Sequence, residues 1–65
     1  MKKKVTINFD SIIFHCRIEL NHKDNIDQGF KIDHVLLSND MTNRDFTHVL
    51  DQDKLVKLIY EQLKN

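Results

Sequence analysis

Four histidines and one cysteine are the side chains of this 65-residue chain that most invite metal or nucleophile chemistry, and their spacing argues against both. His15, His22, His34 and His48 lie seven, twelve and fourteen positions apart, with no Cys-x-x-Cys or His-x-x-x-His pair, so the spacings that hold zinc are missing. Even the least poor set, His15, Cys16, His22 and His34, is frustrated locally, because neighbouring strand residues such as His15 and Cys16 point to opposite faces. Cys16 is in phase with Phe14 and Ile18, which reads as a small buried hydrophobe rather than a nucleophile with an oriented base. His34, in phase with Phe30, Ile32 and Leu36, reads as a core or sheet-edge histidine. The run Asp24-Asn25-Ile26-Asp27-Gln28-Gly29 alternates acids and amides like a calcium loop, yet the twelfth position, where such a loop needs a bidentate Glu, is Val35. A single glycine cannot build a Gly-rich phosphate loop, and Glu19 and Glu61 have no identifiable acid–base partner. No catalytic, cofactor-binding or metal-binding residue is assigned, and the chain is expected not to be an enzyme.

The elements that carry these residues follow from periodicity. Val5, Ile7 and Phe9 alternate with Lys4, Thr6 and Asn8, and Ile12, Phe14, Cys16, Ile18 and Leu20 alternate with Ile13, His15, Arg17 and Glu19. Both are the period-2 pattern of half-buried strands and together predict a hairpin from Lys3 to Leu20. Its turn, Asp10-Ser11, lacks the glycine or asparagine that easily supplies positive φ, which leaves room for a bulge or a wider loop. A polar loop from Asn21 to Gly29 leads to a third strand, in which Phe30, Ile32, His34 and Leu36 are set against Lys31, Asp33, Val35 and Leu37. Arg44-Asp45-Phe46 could add a short fourth strand. Leu55, Leu58, Ile59 and Leu63 recur at helical spacing, predicting an amphipathic helix from Gln52 to Lys64. Asp51 is its expected N-cap, and Asp53 and Lys64 complement its dipole. The expected fold is α+β: one domain over residues 1–65, a small antiparallel sheet of three or four strands with one C-terminal helix packed on one face.

The other face is where function is expected. Ile13, Val35 and Leu37 are placed on it among His15, Arg17, Glu19, Lys31 and Asp33, and an apolar centre rimmed by charge is the anatomy of a contact surface. The expected protein interface is Ile13, His15, Arg17, Val35 and Leu37, with Asp24 and Asp27 of the polar loop as a second contact region. A chain of this length buries only about 60% of the surface that its unfolded form exposes, so a partner or a second copy would help it, and a homodimer is expected.

Composition narrows the partner. Ten Lys and Arg balance ten Asp and Glu, so bulk charge selects no ligand, and nucleic acid is disfavoured despite the Lys2-Lys3-Lys4 run. Phe9, Phe14 and Phe30 share the phase of the core, which leaves no stacking platform among the basic residues. No apolar run exceeds three residues, as in Ile12-Ile13-Phe14, too short for a secretion signal or for the roughly 20 residues of a membrane span, and a cytoplasmic location is expected. Eight lysines against two arginines, seven isoleucines, six asparagines and no alanine point to AT-rich coding DNA, as in a low-GC bacterium or one of its phages.

The second half of the chain carries a resemblance. Strand Lys31 to Ser38, the polar turn Asn39 to Asn43, the segment Asp45-Phe46-Thr47-His48-Val49-Leu50-Asp51 and the helix Lys54 to Lys64 resemble small uncharacterised phage-encoded proteins. In these a strand, a short Asp-x-Thr-x-x-Leu element and a terminal amphipathic helix follow one another. In physical terms Thr47 would cap a single turn through His48 to Leu50, Leu50 would enter the core, and Asp51 would start the helix. The resemblance implies a cytoplasmic protein of an infected bacterium that binds and blocks a host protein, including a defence system, by occlusion. A small nucleic-acid-associated regulator using Lys2 to Lys4, Arg17 and Lys31 is the alternative, and a virion structural or assembly accessory is a third.

Overall fold

The computed structural model describes residues 1–22 and 25–64. Strands β1 (Lys2–Phe9), β2 (Ile12–Leu20) and β3 (Phe30–Leu37) form an antiparallel sheet in the order β1-β2-β3, and helix α1 (Gln52–Lys64) packs across one face. A single 3₁₀ turn (Ile26–Gln28) lies between β2 and β3. The fold is therefore α+β. The fourth strand considered at 44–46 reduces to one bridge, between Leu36 and Asp45.

The hairpin follows its alternation closely. Its register runs without interruption from Lys2↔Glu19 to Phe9↔Ile12, so Asp10 and Ser11 form a two-residue turn rather than a wider loop. Both residues take positive φ, 51° and 71°, as the tight hairpin turn matching strand twist requires. Asn8 makes this tolerable without glycine, because its Oδ1 accepts a hydrogen bond from the Ser11 N–H at 2.8 Å. Ile12, in phase with the core, stands at the tip beyond the helix and stays exposed.

In β3 the alternation breaks. Ile18 pairs with Ile32 but Arg17 pairs with His34, which leaves Asp33 as an extra residue, a β-bulge. The two halves of β3 thereby change phase. Phe30 and Ile32 face the helix as expected, and so do Val35, opposite Cys16, and Leu37, opposite Phe14. The expected placement of Val35 and Leu37 on the outer face is corrected: Val35 is fully buried and Leu37 packs against the core. His34 and Leu36, expected on the core side, lie on the outer face for the same reason, opposite Arg17 and His15.

The core joins Val5, Ile7, Phe9, Phe14, Cys16, Ile18, Leu20 and Val35 of the sheet to Leu55 and Ile59 of the helix. Phe9, Phe14 and Phe46 form an edge-to-face chain with centroids 6.4 and 5.6 Å apart. Lys54 reaches from the helix over the Phe9 ring to the carboxylate of Asp10. Asp51 caps the helix as expected, its carboxylate accepting from the Lys54 N–H at 3.2 Å. Gly29 has a φ of 91° and a Cβ there would sit 2.9 Å from the Asn21 side-chain nitrogen, so its position tolerates only glycine.

Between sheet and helix, Asp45 rather than Thr47 is the capping residue. Its Oδ1 accepts from the Val35 N–H at 3.1 Å, from the Thr47 N–H at 2.9 Å and from the Thr47 hydroxyl. This carboxylate satisfies donors on two buried residues and fastens the turn through 47–50 to the edge of β3. The Thr47 hydroxyl has the largest effect and holds the Asp45 carboxyl below its ordinary value; burial, next in size, opposes it, and the Thr47 and Val35 N–H groups and the nearby His34 add smaller lowering effects. A depressed folded value means stability that is present above the unfolded pKa of about 3.9 and lost as pH falls through the folded one. Asp45→Ala is expected to cost about 1–3 kcal/mol at pH 7, with the gap to the parent narrowing below about pH 4. Urea melts across pH 7 to 3 check this, and equal midpoints at pH 7 would remove the capping role.

Candidate functional site

With the helix covering one face, the other face of the sheet is open, and the register fixes what stands on it. One transverse row is Lys2, Glu19 and Lys31, the next is Lys4, Arg17 and His34, and the next is Thr6, His15 and Leu36. Asn8 and Ile13 complete the face towards the hairpin tip. The bulge at Asp33 adds a carboxylate at the Lys2 end, where Lys2 Nζ lies 3.3 Å from Asp33 Oδ2.

Charge is distributed unevenly along this face. At the Lys2 end, Glu19 stands between Lys2 and Lys31 in the register, and Asp33 pairs with Lys2. In the middle row Lys4 and Arg17 stand directly opposite one another, and among the described residues neither has a carboxylate within ion-pair distance. Like charges directly opposite in a sheet repel, so this row carries a local cost. A shallow depression of about 420 Å³ lies here, lined by Lys4, Thr6, His15, Arg17, His34 and Leu36. Thr6 Oγ1 and His15 Nδ1 meet at 3.1 Å across its floor, and Leu36 and the 39%-exposed Ile13 supply apolar surface beside it.

Of the residues expected at an interface, the structure brings Ile13, His15 and Arg17 together on this face and removes Val35 and Leu37 to the core. Asp24 lies outside the described residues. Asp27 is exposed, but its carboxylate accepts the Tyr60 hydroxyl at 2.6 Å and so ties the 3₁₀ turn to α1 at the far side of the molecule. Thr6, His34 and Leu36 are not among the residues expected in the site, and Lys4 is expected only in the nucleic-acid alternative. One signal for His34 and Leu36 was present: Ile32 and Val35 are three apart, an odd spacing that cannot share a face without an inserted residue.

The open face presents ammonium, guanidinium, imidazole, hydroxyl and apolar side chains. Cys16 points away from it into the core, where burial pushes the thiol up to about 11, leaving it protonated and poorly nucleophilic at neutral pH. Among the described residues no three His, Cys, Asp or Glu side chains converge as metal ligands. No helix among them is long and apolar enough to cross a membrane. No protein-family model, curated protein or solved structure matches the chain.

Proposed function

We propose that this is a small non-enzymatic binding protein that occludes a partner protein with the open face of its sheet. The observation that supports this reading is the unmatched Lys4–Arg17 pair in the depression beside Leu36 and Ile13. Apolar surface next to charge that the fold leaves unpaired is what a contact surface offers and a purely structural sheet face does not need. The order of elements after β3, with its resemblance to phage-encoded proteins, supports a host bacterial protein as that partner and the bacterial cytoplasm as the place of action. A homodimer through this face is not proposed, because a two-fold axis at the depression would set the cationic row against itself.

The test is capture of partners from bacterial lysate on the tagged protein, with nuclease, followed by charge reversal. A stoichiometric, nuclease-resistant partner is expected to be lost with Arg17→Glu and retained with Lys57→Glu on the helix. Equal retention by both variants would overturn the assignment of this face. A second reading, nucleic-acid association, is favoured by one observation: Lys2, Lys4, Arg17 and Lys31 all fall on the open face. It requires polynucleotide binding that weakens steeply and linearly in log salt.

A further inference from the structure

The open face also constrains what sits on it. We infer that its occupant is an extended acidic polypeptide segment, whose carboxylates lie on the Lys4–Arg17–His34 row and whose apolar side chains lie on Leu36 and Ile13. This rests on the binding reading above and adds the chemistry of the partner.

Three features of the face carry it. First, the carboxylates on it are segregated. Among the described residues the strand carboxylates Glu19 and Asp33 both fall at the Lys2 end, where Asp33 pairs with Lys2, and Asp45 near His34 is engaged by Val35 and Thr47, so the Lys4–Arg17 pair has no ion-pair partner there and suits an external anion. Arg17 is half-buried and presents a planar fork of donors suited to a carboxylate. Second, the bulge at Asp33 turns His34 outward beside Arg17, adding an imidazole donor to the row. Third, the neighbouring row is Thr6, His15 and Leu36, which places a hydroxyl and an apolar surface beside the cations. A single-stranded nucleic acid would meet these cations as well, but its bases need π-faces to stack on. Every phenylalanine of the core chain, Phe9, Phe14 and Phe46, packs on the helix side.

An end-blocked octapeptide of alternating Glu and Thr with one central Leu serves as the probe, titrated into isotopically labelled protein by NMR, with an eight-residue oligothymidylate as comparison. Saturable shifts are expected at the amides of Lys4, Thr6, His15, Arg17, His34 and Leu36. Arg17→Glu and Lys4→Glu are each expected to weaken the peptide by about tenfold or more, and Lys57→Glu by less than about twofold. Lys4→Glu gives Arg17 a carboxylate within the sheet, so its melting temperature is expected to rise as peptide affinity falls, a combination that loss of folding cannot produce. Absence of saturable shifts at these amides, an equal loss with Lys57→Glu, or tighter occupation of the same amides by the oligothymidylate would overturn the inference. Partner capture separates the two levels. A partner lost with Arg17→Glu while the peptide fails to bind leaves the binding reading standing and removes the acidic occupant. Peptide binding with partner capture indifferent to Arg17→Glu does the reverse.

Discussion

Replacing Leu55 by alanine is expected to remove about half of the stability of this protein. Leu55 is fully buried on α1, next to the sheet face built from Val5, Ile7 and Phe9, and it shares that position with Ile59 one turn on. Truncating a buried leucine costs about 2–5 kcal/mol, because the transfer free energy is lost and the cavity only partly collapses. A domain of 65 residues has roughly 3–10 kcal/mol in total. Leucine and alanine are both good helix formers, so the helix itself is not weakened and the loss reports packing alone. Urea denaturation followed by far-ultraviolet circular dichroism measures it. Val56→Ala, one residue further on but 43% exposed, is the control and should stay within about 0.5 kcal/mol of the parent. If the two variants melted alike, the helix would not be held by the stripe that contains Leu55.

That stripe was legible in the sequence, and the reason separates what could be read from what could not. Period-2 and period-3.6 patterns report which side chains share a face of one unbroken element, and β1, β2 and α1 are unbroken. Phe9, Phe14, Cys16 and Ile18 could therefore be placed in the core, and the helix bounds read from Gln52 to Lys64 coincide with those of α1. The pattern fails where an element changes phase. In β3 two apolar sets, Phe30 with Ile32 and Val35 with Leu37, must meet the same helix side although an odd number of steps separates them. Local alternation treats that as two faces. The pairing with β2 resolves it by expelling Asp33, and Val35 and Leu37 go to the core while His34 and Leu36 come out.

The candidate site was legible only in part for a related reason. Ile13, His15 and Arg17 belong to one strand, so their common face was evident. The Lys4–Arg17 row exists only through cross-strand register, and its third member, His34, depends on the bulge. The capping role of Asp45 was likewise out of reach, because one of its three donors, the Val35 N–H, lies ten residues away on an adjacent element.

The bulge also makes two single-residue deletions in the same strand differ sharply. Removing Asp33 takes out the extra residue itself: Ile32 still pairs with Ile18 and His34 with Arg17, and strict alternation keeps Val35 and Leu37 on the helix side. The losses are the Lys2–Asp33 contact, an exposed pair worth about 0–1 kcal/mol, and whatever local twist the bulge adds. Removing Leu36 instead leaves the bulge and shifts everything after Val35 by one. Leu37 is carried to the open face in Leu36's place, Ser38 takes the position beside Phe14, and the connection to Asp45 is one residue shorter. Exposing the half-buried Leu37 costs about 1–2 kcal/mol, and placing a serine in its position adds about 1 more. The Asp33 deletion should therefore fold with the parent's circular dichroism spectrum and a melting curve close to it, whereas the Leu36 deletion should melt at a clearly lower temperature. Equal damage from both would mean that the extra residue holds the sheet in shape rather than merely resetting its phase.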